Sequence, residues 1–223
     1  MKAAFHTLGC KVNSYETQAM LEQFRQEGWE RADFTEQADV YIINTCSVTQ
    51  MAEHKSRQLI HRAKRLNPDA VIVAAGCYAQ RAGEELLKDP MIDIVAGNNH
   101  KSEIVHLVNA FLEHSSKSLT VTDLSRCFEY EPQNITHLGE NIRAYVKIQD
   151  GCNRFCSYCI IPYVRGRSRL RDREDIVNEV RALADSGYRE VVLTGIDISM
   201  YTDLIGLAED IEDISGIDRV RLG

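Results

Sequence analysis

No stretch of this 223-residue chain stays apolar for anything close to the roughly 20 residues that a membrane-spanning helix requires. Nor does it open on a secretory leader: Met1-Lys2-Ala3-Ala4-Phe5-His6 runs straight into a strand pattern. Both absences point to the cytoplasm and away from a membrane partner. Positive charge is not in excess either. A formal net charge of −7 argues against a protein that coats DNA or RNA through its global field, while leaving room for a local basic patch that positions one RNA. There is no internal repeat at solenoid spacing and no low-complexity tract, and no two of the seven histidines stand at metal-ligand spacing. A disulfide framework is disfavoured because cytosolic thiols are kept reduced and seven cysteines leave one over. What remains is a globular composition, 44% hydrophobic and 26% charged, enough for one large domain or two ordinary ones, with cysteines whose default role is metal or redox chemistry.

Short apolar runs alternate with helical periodicity over the first hundred residues, the pattern of βαβ units and a parallel sheet of Rossmann or flavodoxin-like type. Strands are expected over 3–8, 39–45, 70–75 and 92–96. Between the first two, Asn13 and Glu16 have the spacing of a capping box, ahead of a helix with Thr17, Met20, Leu21 and Phe24 on one stripe and Gly28 as its stop. Further helices are expected over 52–66 and 101–113. Periodicity fades over 115–142, which reads as a linker between a domain over 1–114 and a second over 143–223. The second resumes with strands over 143–149, 190–194 and 219–222 and helices over 173–186 and 203–215. Three strands neither close a barrel nor bury both faces of a parallel sheet, so the chain reads as a fragment of a larger protein.

Six of the cysteines fall into two trios. Cys10, Cys46 and Cys77 each follow a predicted strand, in the contexts Thr-Leu-Gly-Cys, Ile-Asn-Thr-Cys and Ala-Ala-Gly-Cys. Parallel strands place all their carboxyl ends on one edge, where ligands bind in open α/β folds, so three thiols distant in sequence can converge there. Three thiolates suit a soft metal or a four-iron cluster with one iron open. The alternative is that each cysteine is a small buried hydrophobe. The second trio is local: Cys152, Cys156 and Cys159 form CxxxCxxC directly after the first strand of the second domain, with Tyr158 before the last cysteine. A zinc knuckle is the competing reading, but it usually takes a fourth nearby Cys or His, and none follows before the next helix. Cys127 has no companion at ligand spacing.

The CxxxCxxC segment resembles the radical S-adenosylmethionine superfamily, and the two trios together resemble its methylthiotransferases. The segments Gly9-Cys10-Lys11-Val12-Asn13 with Glu16, Asn44-Thr45-Cys46-Ser47-Val48-Thr49, Lys55-Ser56-Arg57-Gln58, Gly76-Cys77-Tyr78-Ala79-Gln80 and Arg165-Gly166-Arg167-Ser168-Arg169 look most like the branch acting on threonylcarbamoyladenosine in tRNA. The resemblance implies the first part of a radical SAM partial (β/α) barrel in the second domain. It also implies two [4Fe–4S] clusters, one on each trio, S-adenosylmethionine as methyl donor and radical source, an external electron donor, and methylthiolation of adenine C2 in a tRNA, not in DNA. In that scheme the Cys152, Cys156 and Cys159 cluster generates the radical, and the Cys10, Cys46 and Cys77 cluster holds the sulfur.

By the same resemblance Tyr158, Thr194 and Gly195 lie near the cosubstrate, although Thr-Gly after a strand is also ordinary turn chemistry. Arg165, Arg167 and Arg169 are candidates for phosphate or cosubstrate carboxylate, or else a solvated charged face. The cations of the second helix, Lys55, Arg57, Arg62, Lys64 and Arg65, read as surface. Ser199-Met200-Tyr201-Thr202 departs from the glycine-rich loop of relatives. Two competing functions stand beside this one: methylthiolation of a ribosomal-protein side chain, and a non-catalytic iron–sulfur electron carrier.

Overall fold

The computed structural model describes residues 1–133, 135 and 143–223. His137 and the His-Leu-Gly-Glu-Asn turn of the expected linker lie outside them. Uncharged runs of β-branched residues and alanine become strands buried on both faces, as inner strands of a helix-covered parallel sheet must be. The first sheet follows the order β1 (Lys2–Thr7), α1 (Lys11–Gln26), β2 (Glu30–Ala32), β3 (Val40–Thr45), α2 (Gln50–Leu66), β4 (Val71–Gly76), α3 (Cys77–Leu87), β5 (Ile94–Ala96), α4 (Ile104–His114) and β6 (Ser118–Thr120). Its strands lie in the order β2-β1-β3-β4-β5-β6 and are parallel throughout. One face is closed by Ile60 and Ala63 of α2 with Tyr78 and Leu86 of α3, the other by Met20 and Phe24 of α1 with Ile104, Val105 and Val108 of α4.

Several expectations are corrected here. Ser118–Thr120, assigned to the linker, pairs with β5 and completes the first sheet. β2 is a three-residue edge strand with one buried residue, too short to show an alternation. α3 was not expected because Ala82 leaves helical geometry (φ −129°, ψ 34°), which breaks its stripe. The capping box is not formed. Helix α1 begins two residues earlier than Asn13, with Cys10 at its cap, and both Asn13 and Glu16 are buried and turned to tertiary partners.

The second unit comprises β7 (Arg143–Lys147), β8 (Gln149–Asp150), α5 (Ile161–Val164), β9 (Arg169–Leu170), α6 (Arg173–Asp185), β10 (Glu190–Thr194), α7 (Leu204–Glu212) and β11 (Arg219–Leu222). Its parallel sheet runs β11-β10-β7, and β8 and β9 form a short antiparallel ribbon beside it. Asp172 caps α6 by accepting from the backbone N–H groups of Glu174 and Asp175. Helix α1 joins the two units. While Met20 and Phe24 face the first sheet, Tyr15 and Ala19 enter the core of the second with Ile135, Val146, Ile176 and Val180. Among the described residues no helix is long and apolar enough to cross a membrane.

Candidate metal centres

β1, β3 and β4 are neighbours in the sheet, and Cys10, Cys46 and Cys77 follow their carboxyl ends. Cys10 caps α1 and is exposed, whereas Cys46 and Cys77 are buried. Two side chains stitch these ends together. Asn13 donates through Nδ2 to the carbonyls of Leu8 (2.7 Å) and Thr45 (3.1 Å). Thr45 donates through Oγ1 to the Ala75 carbonyl at 2.5 Å and accepts from the Ala79 N–H at 3.3 Å. Burial pushes the Cys46 thiol up against the lowering effect of the Val48 N–H, and the neighbouring Cys77 and Cys10 push it further. Gly9 is required by close approach: a Cβ there would stand 3.0 Å from Cys46 Sγ. Gly76 turns the chain into α3 at φ +93°.

The second trio sits on the loop after β8. The Arg154 N–H approaches Cys152 Sγ at 3.4 Å, and the Cys152 N–H bonds the Gly166 carbonyl at 3.0 Å. Gln149 organises this loop. Its Nε2 donates to the Gly151 carbonyl (2.6 Å) and to Ser168 Oγ (2.9 Å), while its Oε1 accepts from the N–H groups of Ile196 (2.9 Å) and Asp197 (2.8 Å). The end of β10 is thereby tied to the cysteine loop. Thr194 pairs in register with Lys147 of β7, so Thr194 and Gly195 lie alongside that loop. Tyr158 is 90% exposed.

Between the trios runs a buried ionic network. Arg165, wholly buried, reaches Glu16 Oε1 and Asp150 Oδ1 through Nη1, each at 2.9 Å, and Asn13 Oδ1 through Nη2. Lys147 Nζ approaches Glu16 at 3.1 Å and Asp150 at 3.5 Å, and Lys101 pairs with Glu16 and donates to Asn98 Oδ1 at 2.8 Å. Burial alone would raise the Glu16 carboxyl, but Arg165, Lys101 and Lys147 hold it well below the usual carboxylate range. Against the same burial, Arg165 and Lys147 bring Asp150 to about 2. Asn98 then joins the first cysteine site to α5 of the second unit. Its Nδ2 lies 2.6 Å from the Val164 carbonyl and 3.6 Å from Cys77 Sγ.

This geometry corrects the reading of two arginines. Arg165 and Arg169 do not face an RNA: Arg165 is locked between the two units, and Arg169, 3% exposed, donates to the Arg165 carbonyl at 2.9 Å and lies 3.7 Å from Asp150. Arg165 sits at the C-terminal cap of α5, and Arg169 is placed opposite Asp150 by the pairing of β9 with β8. Arg167, between them, is exposed, with its guanidinium 4.5 Å from the centre of the Phe155 ring. Cys127 accepts from Asn99 Nδ2 at 2.7 Å. Gln149, Asn98, Lys101 and Lys147 carried no sequence signal, since an isolated polar residue in a strand or loop shows no partner until the units are docked.

No three His, Cys, Asp or Glu side chains among the described residues close around a single ion. A four-iron cluster gives each thiolate its own iron and holds the sulfurs wider apart than one ion does. The donors fit such a group: each trio offers three thiols and no carboxylate, Gly9 leaves room beside Cys46, and the cations Arg165, Lys101, Lys147 and Arg169 outnumber the acids Glu16, Asp150 and the more distant Glu131. Surplus positive charge suits a thiolate-ligated anionic cluster.

Two family models match: Uncharacterized protein family UPF0004 over residues 2–97 and the Radical SAM superfamily over residues 146–222. The chain is similar to the threonylcarbamoyladenosine tRNA methylthiotransferases MtaB of Aquifex aeolicus (43% identity, all of this chain and 55% of the relative) and Bacillus subtilis (42% identity, 98% and 50%). It is also similar to the tRNA-2-methylthio-N(6)-dimethylallyladenosine synthase of Syntrophus aciditrophicus (35% identity, 96% and 49%). The chain therefore spans about half the length of the curated relatives it matches. Among solved structures, the radical S-adenosylmethionine methyltransferase TsrM of Kitasatospora setae, with cobalamin and a [4Fe-4S] cluster bound, shares the fold at a TM-score of 0.58 and 14% identity, over 94% of this chain and 51% of that one.

Proposed function

We propose that the chain belongs to the radical S-adenosylmethionine methylthiotransferase family and is the part of a cytoplasmic tRNA-modifying enzyme that houses two [4Fe–4S] clusters and binds S-adenosylmethionine, for methylthiolation of threonylcarbamoyladenosine at C2. One observation supports the reading: Asn98 bonds both Cys77 of the first trio and the carbonyl of Val164, on the helix that follows the second trio. The domain boundary then falls between Thr120 and Arg143.

In this reading Cys10, Cys46 and Cys77 hold one cluster and Cys152, Cys156 and Cys159 the other. The bound clusters would supply a one-electron reduction of S-adenosylmethionine at the second trio and a sulfur atom at the first, the electron coming from an external donor. The chain's own residues orient and shield. Gln149 fixes the cysteine loop against β10, where Gly195 and the exposed Tyr158 are available to the cosubstrate and Thr194, itself buried, supports the strand end beside it. Arg165, Glu16 and Asp150 hold the two sites in register and keep water out of the space between the units. Arg167, exposed over Phe155, is available to the RNA. The 42–43% identity to enzymes named for threonylcarbamoyladenosine, against 35% for one named for dimethylallyladenosine, favours the former base.

Anaerobic reconstitution with iron counting tests this. About eight irons per chain are expected, falling to about four when Cys152, Cys156 and Cys159 are replaced by alanine, together with loss of S-adenosylmethionine cleavage. Unchanged iron content in that variant would sink the assignment.

A further inference from the structure

The cations of α2 divide into two groups. Arg57 donates to the Tyr78 hydroxyl, and Lys64 pairs with Asp93 at 3.3 Å and donates to the Ala70 carbonyl at 2.8 Å, so both serve the fold. Lys55, Arg62 and Arg65 form no hydrogen bond or ion pair among the described residues, although the field of Arg62 is felt at His6 and Asp33. These three exposed side chains line one groove of about 640 Å³ with His6, Gln58 and Leu8, and no carboxylate lines it. Such a concentration of unpaired positive charge in a chain of net charge −7 is not an average property of the surface. The groove also has a direction. Leu8 stands two residues before Cys10, and its neighbour Gly9 lies against Cys46. Lys55 is in the second turn of the helix that follows Cys46, whereas Arg65 is near the far end, about 15 Å away at 1.5 Å per residue.

We propose that this groove is a track for the phosphodiester backbone of the substrate RNA, leading one strand along α2 to the three-cysteine edge. A span of about 15 Å is long enough to meet more than one consecutive phosphate of a strand. No Phe, Tyr or Trp lines the groove, so it offers charge to a backbone and no platform for a base. It therefore positions the RNA and reads no sequence. An RNA strand fits better than a folded acidic protein because the cations lie in a row along one helix. This inference rests on the tRNA reading above and assigns α2 the role of holding the strand beside the reacting base.

The test measures affinity of the intact protein for labelled tRNA bearing threonylcarbamoyladenosine as a function of salt. Compared are the unsubstituted protein, the triple variant Lys55→Gln, Arg62→Gln, Arg65→Gln, and a control triple variant Arg181→Gln, Arg189→Gln, Arg219→Gln that removes the same charge from the second unit. Circular dichroism melts confirm that all three are folded. The groove variant is expected to bind at least roughly tenfold more weakly at ~0.1 M salt, with the slope of log K against log salt reduced by about two to three, and the control to change much less. Equal affinity and slope in the groove variant would overturn the proposal and leave the methylthiotransferase reading intact. Equal losses in both triple variants would overturn it too, by reducing the effect to net charge. Retained tRNA affinity with lost binding to polyglutamate would overturn it in favour of an acidic protein partner. Failure of the unsubstituted protein to bind tRNA would bring down this proposal and the tRNA substrate together.

Discussion

Asp150 shows how far one side chain's chemistry is set by its neighbours. Although burial opposes its charge, Arg165 and Lys147 hold its carboxyl at about 2, below the ordinary aspartate value near 3.9. A carboxylate depressed in the folded state contributes stability that is complete above the unfolded pKa and is lost as pH falls through the folded one. Stability is therefore expected to fall between about pH 4 and pH 2, by a share for Asp150 on the order of 2 kcal/mol. Burial pushes the Glu179 and Glu131 carboxyls up, so they contribute with the opposite sign. The comparison that isolates Asp150 is urea unfolding of the protein and of Asp150→Asn across that window. The variant should show a shallower decline, and parallel curves would refute the assignment. At the same scale, Asn13 and Glu16 illustrate how a local pattern misleads. Their spacing is that of a capping box, but a buried carboxylate facing Arg165, Lys101 and Lys147 gains more from those partners than from a helix N–H.

Among the elements, the turn from β4 into α3 has the narrowest tolerance. Gly76 takes φ +93°, and a Cβ there would stand 2.7 Å from the Thr45 carbonyl, on the strand that carries Cys46. Gly76→Ala combines a strained backbone with a clash that shifts Cys46 against Cys77. It should destabilise the protein by more than about 1 kcal/mol in denaturant unfolding. Reconstituted iron should drop from about eight toward four, the second trio remaining loaded. Full iron content would show that the first trio tolerates the shift. The strands themselves were legible in the sequence: β10 and β11 span the residues expected, β1 and β4 are each shifted by one residue, and β3 starts one residue late. Periodicity could not announce α3, whose stripe is broken at Ala82, nor β2 and β6, each three residues long.

At the scale of the molecule, the decisive feature is the contact between its two units. Arg165 is buried between carboxylates from both, so Arg165→Leu leaves Glu16 and Asp150 short of their principal partner, at a cost of about 3–5 kcal/mol. Trp29, the single tryptophan, packs against Phe24 in the first unit and reports on that unit alone. In the unsubstituted protein, denaturant transitions followed by tryptophan fluorescence and by far-ultraviolet circular dichroism should coincide. In Arg165→Leu they should separate as the units unfold independently. Coincident transitions at unchanged denaturant concentration would show that the network does not couple the units.

By itself the sequence determined the parallel α/β class and the two cysteine trios, because strand hydrophobicity, CxxxCxxC spacing and the Gly-Cys contexts are local and survive without a fold. Only the tertiary structure decided which polar residues serve the sites. It turned Arg165 and Arg169 inward and left Arg167 outside, made Asn98 and Gln149 connectors, and separated the cations of α2 into structural and unpaired sets. The reason is physical: a charged or amide side chain takes its role from its partners, and here those partners lie on other strands and in the other unit, at separations along the chain that no local pattern records.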